Sequence, residues 1–233
     1  MKIRKTLYKV KRKLLQVIYK SRNNKWKNQK VFKNIYDKNL FHKGEEINEV
    51  SRSGPGSDLL QTREIIKQLP VLFQKYSIKT ILDIPCGDFY WMKKIDLKGI
   101  QYYGGDVVGE IILGNKKFSS NNIEFIQLDI IEDPLPKVDL IICRDLFVHL
   151  TNHQIFNAID NIKKSSSKYL LTTSFKDRMV NNDIALMGKW RPINVEVAPF
   201  NFNYPIDEIF ENCTEDNMCY NDKYLLLYKI EHL

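Results

Sequence analysis

The feature of this sequence that most constrains its fold is a series of short apolar runs, each the length of a β-strand. The runs that we predict to be strands are residues 80–84, 101–103, 123–127, 138–143, 169–173 and 224–230. Several of them are apolar almost throughout, which is typical of strands covered on both faces. An acidic residue lies at or just beyond the end of the first four runs, namely Asp83, Asp106, Asp129 and Asp145.

Stretches with helical periodicity lie between these runs. One helix is predicted to begin at Ser57 or Asp58, with a kink at Pro70, and others span Phe89–Ile95 and Asn152–Lys163. Strands that alternate with helices predict an α/β fold, with a parallel sheet and helices on both faces. Of the 233 residues, 43% are hydrophobic, which is enough to bury a core and rules out full disorder.

The positive charge is concentrated at the N-terminus. Residues 1–36 contain thirteen Lys or Arg residues and no acid. The net charge is +8 overall, but residues 37–233 hold twenty-three basic and twenty-eight acidic residues, which makes the body −5. The molecule as a whole is therefore not expected to bind nucleic acid, because such binding requires a basic surface and residues 37–233 are mildly acidic.

Within the basic segment, apolar residues recur at the spacing of one helix face. They are Ile3, Leu7, Val10, Leu14 and Val17. Such a basic amphipathic helix fits two roles about equally: it lies on an anionic membrane surface, through residues 1–30, or it packs on its own domain or a partner subunit. Residues 21–56 lack clear periodicity and are predicted to be a linker that folds back over a ligand. The expected division is residues 1–50 for the helix and linker and 51–233 for the domain.

No apolar run is long enough to cross a membrane, and no apolar segment follows the basic start as it would in a secretory signal. The four cysteines are scattered, without the spacing of a zinc site or a disulfide framework, so we expect no metal. These features predict a cytoplasmic protein, with peripheral attachment at the inner face of the membrane as a further expectation. The oligomeric state is left open.

The acids at the strand ends carry the chemical prediction. In an open parallel sheet, ligands bind outside the carboxyl ends of the strands. Gly87 follows the first strand, where a glycine allows the backbone to approach a ligand closely and opens a helix N-terminus. Asp106 comes twenty-three residues after Asp83, a position from which an acid accepts hydrogen bonds from a ribose diol. Together they predict a cofactor that contains a nucleoside.

These segments resemble the successive motifs of class I S-adenosylmethionine-dependent methyltransferases. The segments are Thr80–Gly87, Tyr103–Asp106, Ile126–Asp129 and Asp139–Cys143. Residues 83–92, the Ser-Gly-Pro-Gly-Ser at 53–57 and the run from Arg144 to Leu150 are similar to a bacterial subset associated with surface-polysaccharide biosynthesis. The resemblance implies a Rossmann-like sheet of seven strands with an antiparallel last strand. The strand missing from our prediction would fall in residues 190–205, which look more like a substrate-facing loop.

The resemblance also implies site residues for the cofactor S-adenosylmethionine. Asp83 and Gly87 would line its methionine end, Asp106 its ribose, and Asp129 and Ile130 its adenine, while residues 54–62 close over its carboxylate. The full set implied to bind the cofactor is Asp83, Pro85, Gly87, Asp88, Asp106, Asp129, Ile130 and Arg144. One departure from the family pattern is that Pro85 and Phe89 replace two of its three motif glycines.

For the chemistry of methyl transfer, His149 is the predicted general base. Asp145 is the second candidate, either as base or as the group that orients His149, and Arg144 would hold an anionic substrate. A packed His149 and a structural Arg144–Asp145 ion pair are the alternatives. The expected acceptor is an oxygen of a saccharide or glycan precursor. Other expected possibilities are a small-molecule or nucleic-acid acceptor, or an inactive interaction module.

Overall fold

The computed structural model describes residues 23–42 and 51–233. Seven strands form one sheet in the order β3-β2-β1-β4-β5-β7-β6. Their bounds are β1 Thr80–Asp83, β2 Gln101–Asp106, β3 Ile123–Gln127, β4 Leu140–Cys143, β5 Tyr169–Phe175, β6 Asp207–Phe210 and β7 Lys223–Lys229. All neighbours are parallel except that β7 runs antiparallel to both β5 and β6. The predicted mostly parallel sheet with an antiparallel last strand is confirmed.

The missing strand lies at β6, just beyond the 190–205 range in which it was expected. It is four residues long, lies at the edge of the sheet, and buries only Ile209. A short edge strand with one covered face has no apolar run to reveal it, since edge strands are kept polar on their free side.

Helices cover both faces of the sheet. Their bounds are α1 at residues 23–37, α2 Leu59–Lys75, α3 Gly109–Asn115 and α4 Asn152–Lys164. Side chains of α2 and α3 pack with Ile81 and Leu140 on one face, whereas those of α4 pack with Leu82 and Ile141 on the other. Neighbouring residues of a strand therefore point alternately into the two cores, which is the pattern of a strand buried on both faces. None of the helices in the described ranges combines the length and apolar character needed to cross a bilayer.

Two of the predicted helices are confirmed, and the third is wrong. Pro70 lies within α2 without ending it, and Thr151 begins α4 through a capping box with Gln154. Residues 89–95 hold only a 3-10 turn, Met92–Lys94. Phe89 has φ 59°, a left-handed value that no helix accommodates. Its ring packs against those of Tyr102 and Phe125, with centroids 5.2 and 5.1 Å away. Because of the left-handed backbone at Phe89, the loop after β1 does not lead into a helix N-terminus.

The predicted linker at residues 21–56 is also wrong in part, because residues 23–37 form α1. Asn28 donates to the Asp129 carboxylate at 2.9 Å, and Ile35 is buried. A Cβ on Gly188, which has φ 88°, would lie only 2.8 Å from Ile35 Cδ1. Because α1 is anchored partly through the polar Asn28, its sequence lacks the regular apolar spacing from which a helix is predicted. The predicted amphipathic helix at residues 3–19 lies outside the described residues.

We expect Asn28→Ala to destabilise the docking of α1. It leaves the buried Asp129 carboxylate without its side-chain donor, at a cost of about 1–3 kcal/mol in the free energy of unfolding. Asn24→Ala is the matched control, since Asn24 lies on the same helix and donates to the less buried Glu132. Its cost should stay within about 0.5 kcal/mol. Urea denaturation measures both, and equal losses would contradict the assigned anchor.

Candidate functional site

A cavity of about 680 Å³ lies over the carboxyl ends of the central strands. Its floor includes Asp83 at the end of β1, Asp106 at the end of β2 and Arg144 after β4. This is the edge at which ligands bind in open α/β sheets. Two segments cover the cavity. One is residues 52–57, and the other is α1 with the turn that follows it, which contributes Phe32, Ile35, Tyr36, Leu40 and Phe41.

Asp106 lies beside Gly87 in this floor. The backbone N–H of Gly87 donates to Asp106 Oδ2 at 3.3 Å, and that of Val108 donates to Oδ1 at 2.9 Å. Burial raises the pKa of Asp106 to about 6, against the lowering effect of these donors. The result is a carboxylate held in place at the cavity edge and poorly solvated, which favours acceptance of hydrogen bonds from a ligand.

Asp83 is the deeper of the two acids. Its side chain is 2% exposed, and the Tyr102 hydroxyl donates to its Oδ2 at 2.7 Å. Burial raises the pKa of Asp83 to about 7, although the Tyr102 hydrogen bond and the Arg144 charge oppose the rise. A cationic group in the cavity would favour the ionised form of Asp83 by supplying the charge that burial denies it.

Residues 51–57 are tied to the loop after β1 through Asp88. Its carboxylate accepts from Ser51 Oγ at 3.0 Å and from the Arg52 N–H at 2.8 Å, while its own N–H donates to Ser53 Oγ at 3.0 Å. Asp88 was predicted to bind the cofactor; its carboxylate lines the cavity but bonds to the chain itself. Pro85 lines the cavity as well.

Asp129 and Ile130 were predicted at the adenine, and they do not line the cavity. The Asp129 carboxylate accepts from Asn28 on α1 and from the Ile131 N–H at 2.9 Å. The Ile130 side chain is buried in the core. The structural reason is that α1 packs over the carboxyl end of β3 and takes the place that a ligand would need.

A buried ion network follows β4. Arg144 donates to both carboxylate oxygens of Glu211, Nε to Oε1 at 3.2 Å and Nη2 to Oε2 at 2.7 Å. Lys223 Nζ lies 2.7 Å from Asp145 Oδ2 and 3.3 Å from Glu211 Oε2. Arg144 also pairs with Asp145 at 3.2 Å. The guanidinium fork predicted to hold an anionic substrate is therefore already occupied by Glu211, as in the structural ion-pair alternative.

Asp145 belongs to the same network, so neither of its predicted roles fits its surroundings. Burial opposes its ionisation, but Arg144 and Lys223 together hold the pKa of Asp145 well below its usual range. A carboxylate with such a low pKa is a weak base. Its Oδ1 accepts from Thr173, and the group that orients His149 is a backbone carbonyl. Sequence reasoning missed Glu211 and Lys223, because no local pattern links them to Arg144.

His149 lies in the same cavity, beside the Phe41 ring at a centroid distance of 5.1 Å. Its Nδ1 is 3.2 Å from the carbonyl of Lys189, and since a carbonyl only accepts, Nδ1 carries the proton. Burial lowers the pKa of His149 to about 4, so the ring is neutral at pH 7. Nε2 is then the acceptor nitrogen, the form that a general base requires, but the lowered pKa also makes His149 a weaker base than an ordinary histidine.

The described residues hold no group of three or more His, Cys, Asp or Glu side chains arranged to bind a metal ion. No family model matches the chain, and no curated protein matches it.

Solved structures show what the fold is similar to. The N-methyltransferase NodS from Bradyrhizobium japonicum aligns with TM-score 0.52 and 18% identity, over 72% of this chain and 96% of that one. A protein from Pyrococcus horikoshii aligns with TM-score 0.50 and 18% identity, over 72% and 90%. Human N-acetylserotonin methyltransferase, in complex with SAM, gives TM-score 0.51 and 15% identity over 73% of this chain, which spans only 54% of that enzyme. The chain thus has the Rossmann-like methyltransferase fold.

The loop after β1 gives a test of the close contact at Gly87. Gly87 has φ 51°, and a Cβ there would lie 2.2 Å from Ser53 Oγ. Gly99 is a matched control, since it has φ 77° but nothing within 4 Å of the added Cβ. Gly99→Ala should cost about 1–2 kcal/mol through backbone strain alone, and Gly87→Ala should cost more. Urea denaturation measures the loss of unfolding free energy in each variant. When Ser53 is also replaced by glycine, the loss from Gly87→Ala should approach the loss from Gly99→Ala. Equal losses from the two single variants would refute the close contact.

Proposed function

We propose that this protein is an S-adenosylmethionine-dependent methyltransferase whose acceptor is an oxygen of a saccharide or glycan precursor. One observation carries the proposal: a single cavity at the carboxyl ends of the strands holds the Asp106 carboxylate opposite Gly87 and the neutral His149 imidazole. The fold neighbours named above support it, since two are methyltransferases and one was solved with SAM. Those two differ in acceptor, so the acceptor here rests on this chain's own residues and on the motif resemblance.

The residues of the cavity fit the cofactor. A volume of about 680 Å³ falls within the range of about 300–1,000 Å³ that small-molecule sites occupy. Asp106 would accept from the ribose hydroxyls, and Asp83 would lie toward the positively charged methionine end. Gly87 has no side chain to obstruct the approach. When bound, S-adenosylmethionine supplies an electrophilic methyl group on a sulfonium that is a good leaving group.

His149 would then act on the acceptor. A sugar hydroxyl is a poor nucleophile until it loses its proton, and Nε2 of His149 would accept that proton. The Lys189 carbonyl keeps the proton on Nδ1 and so fixes the tautomer. Phe41 packs against the ring and limits the water that reaches it. Arg144 and Asp145 serve this step by shaping the floor beside His149.

Cofactor affinity should depend on Asp106 and on pH. Asp106→Asn removes charge-assisted hydrogen bonds and should weaken S-adenosylhomocysteine binding by about 10- to 100-fold in calorimetry. Because burial raises the pKa of Asp106 to about 6 and that of Asp83 to about 7, both acids lose their charge as pH falls, and wild-type affinity should drop at least about tenfold from about pH 8 to about pH 5. The drop should be smaller in Asp106→Asn, in which only Asp83 still titrates. Asp160→Asn, at an exposed position of α4 away from the cavity, is the control, with an expected change below about twofold. Similar losses in both variants would contradict the ribose assignment.

Turnover should depend on His149. His149→Ala should lower kcat by about 10²- to 10⁴-fold with any saccharide that the wild type methylates, measured by transfer of labelled methyl groups. S-adenosylhomocysteine affinity should change less than about twofold, because the variant removes a base and no cofactor contact. His153→Ala, an exposed histidine on α4, is the matched control. Unchanged turnover in His149→Ala would refute the base assignment.

A further inference from the structure

Beyond His149, the cavity is lined by three aromatic side chains that form one cluster: Phe175, Trp190 and Tyr220. The Trp190 and Tyr220 ring centroids are 4.9 Å apart, and each ring stands edge-on to Phe175, at 6.0 and 5.8 Å. Phe175 is buried, while Trp190 is 43% exposed. A buried ring thus supports two rings that line the cavity, and aromatic side chains are common in the lining of ligand pockets.

The chain fixes this aromatic cluster relative to His149. Trp190 directly follows Lys189, whose carbonyl accepts from His149 Nδ1. On its other side, the Arg191 N–H donates to the Val148 carbonyl at 3.2 Å, and the Arg191 guanidinium donates to the Phe147 and Val148 carbonyls. The strand-end loop that carries the base and the loop that carries Trp190 are therefore bonded together. A ring resting on Trp190 would be held at a set position with respect to Nε2.

One wall of the same region carries surplus negative charge. Arg144 and Lys223 are the cations of the ion network, and Asp145 and Glu211 are fully paired with them. Glu215 also lines the cavity, and among the described residues its carboxylate receives a hydrogen bond only from the Cys213 thiol, at 3.5 Å. From an added Cβ on Gly56, Glu215 Oε2 would lie 3.2 Å away, Asp145 Oδ2 3.5 Å away and Lys223 Nζ 3.7 Å away, so the Lys223 charge also faces this point. Glu215 thus has acceptor capacity that the chain leaves unused.

We infer that Trp190, Tyr220 and Glu215 form the acceptor subsite and that it takes a neutral pyranose ring in preference to an anionic sugar. The inference rests on the proposed function and deepens it. The apolar C–H face of a pyranose fits against exposed aromatic rings, and its hydroxyls donate to the Glu215 carboxylate. A uronic acid would place a second carboxylate beside Glu215 while the Arg144 fork is occupied. A cationic acceptor is disfavoured because Lys189, which forms no ion pair with the described residues, lines the same region.

The test is equilibrium binding to the full chain saturated with S-adenosylhomocysteine. The probes are the methyl glycosides of glucose, galactose and mannose, methyl glucuronide, and tetramethylammonium. We expect at least one neutral glycoside to bind, and methyl glucuronide to bind at least about tenfold more weakly. Trp190→Ala should weaken the neutral glycoside at least about fivefold, and Trp190→Phe should restore most of the loss. Glu215→Gln should reduce the discrimination against glucuronide to within about twofold.

Matched controls use the same substitutions away from the cavity. Trp26→Ala replaces an exposed tryptophan of α1, and Glu124→Gln replaces an exposed glutamate of β3; neither should change glycoside affinity. If S-adenosylhomocysteine binds but no neutral glycoside does, or glucuronide or tetramethylammonium binds more tightly than the glycosides, the subsite inference is overturned while the cofactor proposal stands. The subsite inference is also overturned if glycoside affinity changes equally in the cavity variants and in their controls. Failure of S-adenosylhomocysteine to bind would overturn the proposed function and the subsite with it.

Discussion

Partly desolvated carboxylates at the ends of parallel strands organise the cavity of this protein. Among the described residues, the direct partners of Asp83 and Asp106 are neutral donors, a tyrosine hydroxyl and backbone N–H groups, and burial raises the pKa of each. Asp145 lies one strand over and contacts two cations, which lower its pKa instead. The same residue type at equivalent positions thus acquires two roles. Asp83 and Asp106 keep the capacity to accept from a ligand, whereas Asp145 stabilises the fold through its ion pairs.

The ion network gives the site its rigidity and its charge. Arg144 follows β4, Glu211 follows β6 and Lys223 begins β7, so the network joins the parallel part of the sheet to its antiparallel edge. Removing one partner of such a buried set leaves an uncompensated charge, which is far more costly than the net value of the pair. Because Arg144 and Lys223 are fully engaged, the charge that this wall leaves for a substrate is that of Glu215. This is why we place a neutral acceptor in the cavity.

Both sides of the cavity are covered by chain that precedes the sheet. Asn28 anchors α1 at Asp129, and Asp88 anchors residues 51–57 beside Gly87. Farther along, Phe41 rests on the His149 ring and Ile35 packs against Gly188. The covering segments therefore touch the proposed cofactor side and the proposed acceptor side at once. Desolvation of the acids and of His149 depends on this cover, since the shifted pKa values arise from burial.

The central strands were predictable because each one is a continuous apolar run, and local periodicity carries that information. Residues 89–95 were mispredicted as a helix because apolar spacing alone does not reveal the left-handed backbone at Phe89. Strand β6 and helix α1 were missed because their packing uses one apolar residue or a polar anchor rather than a stripe. The end of β2 was predicted three residues too early because the strand runs on through Gly104 and Gly105 to Asp106.

The sequence by itself determined where the acids lie, because a strand and the acid that ends it are neighbours in the chain. Only the tertiary structure decided which acids face a ligand. Glu211 and Lys223 lie 67 and 78 residues from the groups they neutralise, and Asn28 lies 101 residues from Asp129. Pairing at such separations depends on strand order and helix docking, and these follow from burial of the whole core rather than from any local pattern.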